Sequence, residues 1–126
     1  MKQPCVYLLA SSRNGVLYIG VTSDLTHRMA EHSQGLIPGF TRRYGVKHLV
    51  YYEMHATMDE AIAHEKRLKE WRRAWKVRLI ESMNPDWRNL FNPATGEIEL
   101  GPLTSRASDH DEEFVVDFRG SRPAPG

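Results

Sequence analysis

The segment Cys5-Val6-Tyr7-Leu8-Leu9-Ala10-Ser11-Ser12-Arg13-Asn14-Gly15-Val16-Leu17-Tyr18-Ile19-Gly20 decides how this chain is read. Two short apolar runs, Cys5–Ala10 and Val16–Gly20, flank a polar turn. Asn-Gly between β-type runs is a strong hairpin signal, because both residues tolerate positive φ. A two-residue turn on Asn14-Gly15 places Tyr18 opposite Ser11, with Tyr7 further along the same face. Both phenols then project from one side of the hairpin.

Working outward, Thr22-Ser23-Asp24 offers the oxygen side chains that cap a helix start. The helix expected from about Asp24 to Ser33 carries Arg28 and His32 at i and i+4, on one face. Two tyrosines, an arginine and a histidine thus converge within one supersecondary unit, the pattern of a site.

The remainder supplies a basic domain and an acidic tail. The formal net charge is only +1, but Lys and Arg exceed Asp and Glu over residues 1–91 while residues 92–126 are net acidic. That excess favours an anionic partner, nucleic acid first. The single cysteine, Cys5, excludes an intrachain disulfide framework and a thiolate zinc site, and reads as a small buried hydrophobe. No run approaches transmembrane length, and the apolar run before Arg13 is too short for a signal peptide. The cytoplasm is the expected location.

Gln34–Gly45, with its Gly and Pro residues, reads as a loop holding Phe40-Thr41-Arg42-Arg43-Tyr44. Two readings stay open there. Arg42 and Arg43 interleaved with aromatics suit backbone contact plus base stacking, or Phe40 and Tyr44 pin the loop to the core. His48–Met54 reads as a third strand. Thr57 and Glu60 stand in a capping-box relation at the start of the main helix. Met58, Ala61, Ile62 and Leu68 form its apolar stripe, and Glu65 lands inside that stripe. A carboxylate there is either a metal ligand or catalytic group, or a member of a structural ion pair. Beyond it, Lys66, Lys69, Arg72, Arg73 and Lys76 interleave with Trp71 and Trp75, a composition suited to phosphates and equally to a solvated face. The helical apolar pattern runs on until Asn84-Pro85, and Trp87, Leu90 and Phe91 are expected to pack the last turn of a domain spanning 1–91. Residues 92–126 read as a mostly disordered tail. Within it, the apolar island 112–118 is a candidate protein-binding segment. His27, His48, His55 and His64 are expected to be solvated or structural.

Taken together, Val6-Tyr7-Leu8, Tyr18-Ile19-Gly20, Thr22-Ser23-Asp24-Leu25, Arg28 and a glutamate on a later helix resemble the GIY-YIG nuclease superfamily. Residues 5–90 are similar to its stand-alone single-domain members, including Gly39-Phe40-Thr41, Arg43-Tyr44-Gly45 and the Asn84-Pro85 to Trp87 ending. The same resemblance extends to excision-repair nuclease N-terminal domains and homing endonuclease catalytic domains. It implies an α+β fold with a small three-stranded antiparallel sheet flanked by helices, and metal-dependent DNA endonuclease activity. It also implies Glu65 as the carboxylate ligand of Mg²⁺ (or Mn²⁺), Tyr7 and Tyr18 as the signature tyrosines that activate or orient water, Arg28 on the scissile phosphate, and His32 beside them. Two departures stand out. The first motif lacks its leading glycine, and Trp75-Lys76-Val77 occupies the region where many members carry an asparagine, a role left to Lys69 or Arg73.

The chemistry supports that assignment independently. One Mg²⁺ needs only one or two protein carboxylates, because it keeps several waters and takes substrate oxygens. Arg28 donates paired hydrogen bonds to phosphate and stays charged. The expected partner is branched or duplex DNA, with structure selectivity or weak sequence specificity and a role in repair or recombination. The competing class is a non-catalytic nucleic-acid-binding or interaction module that keeps the fold. No phosphate-binding glycine loop or nucleophile elbow is present.

Overall fold

The computed structural model describes residues 2–99, in the order β1 (Cys5–Ala10), β2 (Leu17–Thr22), α1 (Leu25–Ser33), α2 (Phe40–Tyr44), β3 (His48–Met54), α3 (Met58–Lys69), α4 (Arg73–Met83), β4 (Phe91–Asn92) and β5 (Glu97–Ile98). Every residue of β1 is buried. The reason is topological: β1 is the central strand of the order β2-β1-β3, antiparallel to both neighbours, and both of its faces are covered. Val6, Leu8 and Ala10 pack with Ala61 and Leu68 of α3 and Leu79 and Ile80 of α4. The alternating set Cys5, Tyr7 and Leu9 packs with Leu25 and Met29 of α1 and with Leu90 and Phe91. Period-two alternation therefore sorts one strand into two cores. The fold is α+β, a three-stranded antiparallel sheet flanked by helices. Among the described residues no helix is long and apolar enough to cross a membrane.

The hairpin register corrects one expectation. Tyr18 lies opposite Leu9 and Gly20 opposite Tyr7, not Tyr18 opposite Ser11. The loop is wider than two residues: Ser11 N–H donates to the Val16 carbonyl at 3.0 Å and Gly15 N–H to the Ser12 carbonyl at 2.9 Å. Ser11 Oγ also accepts the Val16 N–H at 2.9 Å, a side-chain partner that stabilises the wider closure. Asn14 carries the positive φ of 60°. The slip amounts to two residues, so side-chain parity is preserved and Tyr7 and Tyr18 still share a face.

Three further differences follow from local chemistry. Residues 40–44, read as loop, form the short helix α2, which Gly45 ends in the left-handed region at φ 64°, where an L side chain is strained. The helical pattern from Thr57 to Met83 is two helices. Glu70 and Trp71 amides close back on the Arg67 and Leu68 carbonyls at 3.0 and 3.1 Å, and Arg72 turns extended at ψ 152°. Residues 92–99, assigned by composition to the tail, close a β4–β5 hairpin onto the domain. There Glu99 N–H donates to the Leu90 carbonyl at 2.7 Å and Tyr52 Oη to the Glu99 carbonyl at 3.2 Å. The remainder of the expected tail, with the 112–118 island, lies outside the described residues.

Thr57 Oγ1 accepts the Glu60 N–H at 3.1 Å, capping α3 as its sequence signals. Asn84 ends α4 and is almost wholly buried. Its Nδ2 donates to the carbonyls of Val50 (3.3 Å) and Arg88 (2.8 Å), and its Oδ1 accepts the Arg88 N–H at 3.1 Å. This clamp holds the turn in which Trp87 takes φ 58°. Trp87, Leu90 and Phe91 are buried against the domain, and the buried Cys5 thiol is pushed up to about 12 by desolvation, leaving it inert.

Candidate active site

The site grows from Gly20. Opposite it in the register stands Tyr7, and a Cβ at position 20 would fall 2.5 Å from both Cζ and Oη of Tyr7 and 3.0 Å from Cε2 of Tyr18. The missing side chain of Gly20 is therefore the space that the Tyr7 phenol fills. One face of α1 adds His32: its Nε2 lies 3.2 Å from Tyr7 Oη, and its ring centroid lies 5.8 Å from that of Tyr7 and 6.0 Å from that of Tyr18. The two tyrosine rings are 6.3 Å apart. Tyr7 and His32 are buried, whereas Tyr18 is half-buried on the edge strand β2.

Burial sets the electrostatics. It pushes the Tyr7 phenol well above the usual phenol range, with Tyr18 adding to the rise and the Arg28 charge offsetting part of it. It also holds the His32 imidazole down at about 4, and Arg28 acts in the same direction. Both groups are therefore neutral at physiological pH. The His32 Nδ1 is buried without a hydrogen-bond partner among the described residues. One turn earlier on α1, Arg28 is 39% exposed and its Nε lies 3.6 Å from Glu31 Oε1. Asp24 caps this helix by accepting the His27 N–H at 3.2 Å, which fixes the start from which Arg28 and His32 are counted.

An aromatic ladder leads from this cluster to solvent. Phe40 stacks on Tyr18 with centroids 6.4 Å apart and an interplanar angle of 24°. Tyr44 lies 4.9 Å beyond Phe40, and the Arg43 guanidinium sits 5.6 Å from the centre of the Tyr44 ring. Phe40 and Tyr44 are both exposed, while Thr41 is the residue of α2 that packs inward. Neither aromatic is buried in the core: Phe40 leans on Tyr18 while its other face and Tyr44 remain open beside exposed Arg42 and Arg43. A shallow depression is lined by Gly39, Phe40, Arg42, Arg43 and Tyr44.

Glu65 is carried by a different helix. It lies on α3, which packs on the opposite face of the sheet from α1, and its carboxylate pairs with Lys69 Nζ at 2.7 Å. Its side chain is 12% exposed. Among the basic residues proposed for nucleic acid, Arg42, Arg43, Lys66, Lys69, Arg72 and Arg73 are exposed. Arg73 nevertheless donates to the Gly15 carbonyl at 2.7 Å, bracing the hairpin turn. Half-buried Lys76 donates to the Lys69 carbonyl at 3.4 Å, and burial together with nearby Arg73 lowers its pKa.

Sequence reasoning missed one cluster. Glu53, His55 and His64, the histidines having been assigned no joint role, bring three potential ligand atoms within 4.8 Å of one another. Glu53 and His55 stand two apart at the end of β3, which is the available sequence signal. His64 joins them only because α3 packs over that end of the sheet.

Known proteins share much of this sequence. Residues 3–78 match the model of the GIY-YIG catalytic domain. UPF0213 proteins of Staphylococcus aureus, among them SAV0488 of strain Mu50 and MW0443 of strain MW2, are 37% identical over 76 residues, which is 60% of this chain and 92% of each relative. The solution structure of the UPF0213 protein BH0048 from Bacillus halodurans is 28% identical, covering 69% of this chain and 92% of that one at a TM-score of 0.45. With the family model matched over more than half its length, this chain belongs to the GIY-YIG catalytic domain family, a family of nuclease-type domains.

Proposed function

We propose that the protein is a divalent-metal-dependent endonuclease that hydrolyses DNA phosphodiester bonds, selective for structure more than sequence and suited to repair or recombination. The observation that carries this reading is the convergence of Tyr7, Tyr18 and His32 at Gly20, within range of the Arg28 charge and beside exposed Phe40, Arg42, Arg43 and Tyr44. A binding module needs those exposed groups but not a tyrosine–histidine cluster packed this closely.

Each residue takes a role from its surroundings. Arg28 is exposed enough to meet a phosphate and donates in a fork that matches its oxygens. Tyr7 is the positioning residue: buried, neutral and hydrogen-bonded to His32, it holds the geometry without giving up its proton. Tyr18, on the open edge strand and in contact with both rings, is the tyrosine placed to orient the attacking water. Tyr18 lies on the edge strand β2, against which the Glu65-bearing helix α3 also packs, so the scissile phosphate would lie by that edge.

The donor chemistry fits Mg²⁺ or Mn²⁺ at Glu65. It is an oxygen ligand, single and half-buried, and its partner Lys69 is an exposed ammonium free to turn towards phosphate. The chemistry that such an ion supplies when bound is neutralisation of phosphoryl charge and acidification of a coordinated water. Bases next to the cleaved bond would stack on Phe40 and Tyr44, and Arg42 and Arg43 would hold the backbone.

The test is cleavage of labelled flapped, branched, single-stranded and duplex DNA with Mg²⁺ or Mn²⁺, comparing wild type with Glu65→Gln and Arg28→Ala. Cutting by wild type, with both variants binding but not cutting, supports the reading. Binding by wild type without cleavage under either metal refutes it in favour of the binding module.

A further inference from the structure

We propose that Glu53, His55 and His64 form a metal site separate from Glu65, built for Zn²⁺ or a similar borderline transition ion. Two imidazole nitrogens converge on one carboxylate oxygen: His55 Nε2 lies 3.1 Å and His64 Nε2 2.9 Å from Glu53 Oε2. Bonds of about 2.0–2.2 Å to a tetrahedral centre set neighbouring donors roughly 3.3 Å apart. Each imidazole nitrogen already stands within a few tenths of an ångström of that spacing from Glu53 Oε2, and all three donor atoms lie within 4.8 Å of one another, so an ion can replace the hydrogen bonds that now join them. Two nitrogens and one oxygen are the donor set that selects zinc-like ions over Mg²⁺, which is why this site and Glu65 would not compete for the same metal.

The surroundings are those of a supported site with an entrance. Tyr51 Oη donates to Glu53 Oε1 at 2.5 Å, fixing the carboxylate so that Oε2 faces the imidazoles. The side chains are 24%, 18% and 16% exposed for Glu53, His55 and His64, enough for an ion to enter and for water to complete its coordination. The ligands come from the end of β3, the residue after it, and α3. A bound ion would therefore tie strand to helix at the residue preceding Glu65, anchoring the turn that carries that carboxylate.

The proton balance is specific. Arg67 Nη2 lies 3.1 Å from His64 Nδ1, and a guanidinium can only donate. In the metal-free protein Nδ1 accepts and the His64 proton sits on Nε2, shared with Glu53. Coordination through Nε2 moves that proton to Nδ1, which then faces Arg67, so the exposed Arg67 side chain must turn into solvent. Arg67 opposes binding, and its removal should tighten it.

The experiment is a titration of the untagged, full-length, metal-free protein with Co²⁺, read by visible absorption, with Zn²⁺ competition by calorimetry and thermal melts alongside. The expected result is one equivalent of Co²⁺ giving four-coordinate ligand-field bands, displaced by Zn²⁺, with Zn²⁺ raising Tm by several degrees. Glu53→Gln, His55→Gln and His64→Gln should each weaken binding at least tenfold, while Arg67→Ala should tighten it. His55, just beyond β3, is the variant least able to disturb the fold. Glu65→Gln should leave the bands unchanged. Absence of bands in wild type, bands indifferent to His55→Gln and His64→Gln, or bands lost in Glu65→Gln would each overturn the proposal. Because the readout is binding, the result stands whether or not the protein cleaves DNA.

Discussion

Gly20→Ala tests the organisation of the site with the smallest possible change. The new Cβ would sit 2.5 Å from Tyr7 Cζ and Oη, where ordinary contact begins at 3.4 Å, so the phenol must retreat by about 0.9 Å. Tyr7 has little room to do so, being 2% exposed between β1, α1 and the C-terminal hairpin. Overpacking of this kind costs about 2 kcal/mol, a fall in Tm of roughly 8–16 °C for a domain of this size. The displaced hydroxyl also leaves His32, and a misplacement near 1 Å can cost about 10²-fold in rate. Thermal melts and single-turnover cleavage under saturating Mg²⁺ measure the two effects separately. Tyr7→Phe removes the Oη clash but not the Cζ one, so in the double variant the stability losses should sum to less than the two single values. A Gly20→Ala protein that melts within about 2 °C of wild type and cleaves at full rate would refute the argument that Gly20 exists to admit Tyr7.

Three other outcomes are expected. His32 is neutral and buried, with its pKa lowered to about 4 against about 6.5 in an unfolded chain, so the unfolded state binds more protons between these values. Stability should therefore be fully present above about pH 6.5 and fall as pH drops towards 4, by up to about 1.4 kcal/mol per pH unit. Urea melts of wild type against His32→Gln should isolate that slope. Asn84→Ala strands the Val50 and Arg88 carbonyls and the Arg88 amide, and should cost about 2–3 kcal/mol in urea melts; a loss below about 0.5 kcal/mol would mean water replaces the clamp. Phe40→Ala with Tyr44→Ala should weaken DNA binding by about 1–3 kcal/mol per stacked base with only a small fall in Tm, since both rings are about half exposed and lose only their mutual contact and the stack on Tyr18. A large Tm loss with intact binding would make them structural.

What was legible in the sequence was whatever parity and periodicity determine. Tyr7 and Tyr18 share a face under either register, because the slip is two residues. Arg28 and His32 share a helix face because Asp24 fixes the start of α1. The register itself depended on a hydroxyl–amide bond from Ser11 to Val16, which no pairing rule anticipates. The helix break at 70–72 carries neither glycine nor proline, and the five residues of α2 are too few for a periodic signal. Asn92-Pro93-Ala94-Thr95-Gly96 has the composition of a tail, yet it is the turn of a hairpin held by Glu99. The meeting of Glu53 and His55 with His64 depends on tertiary packing and could not be read from spacing.

The central position of β1 has a consequence for biosynthesis. Its six uncharged residues pair on one edge with β2, a local hairpin, and on the other with β3, where Cys5 meets Met54 and Ala10 meets His48. Hairpins close in about 1–10 μs, but a ribosome adding about 5–20 residues per second needs some seconds to deliver the second partner. Throughout that interval the nascent chain displays an apolar strand with an open edge, which is a template for pairing with another chain. Yield on overexpression should accordingly respond to chaperone supply and to translation speed between residues 22 and 54 more than to changes in final stability.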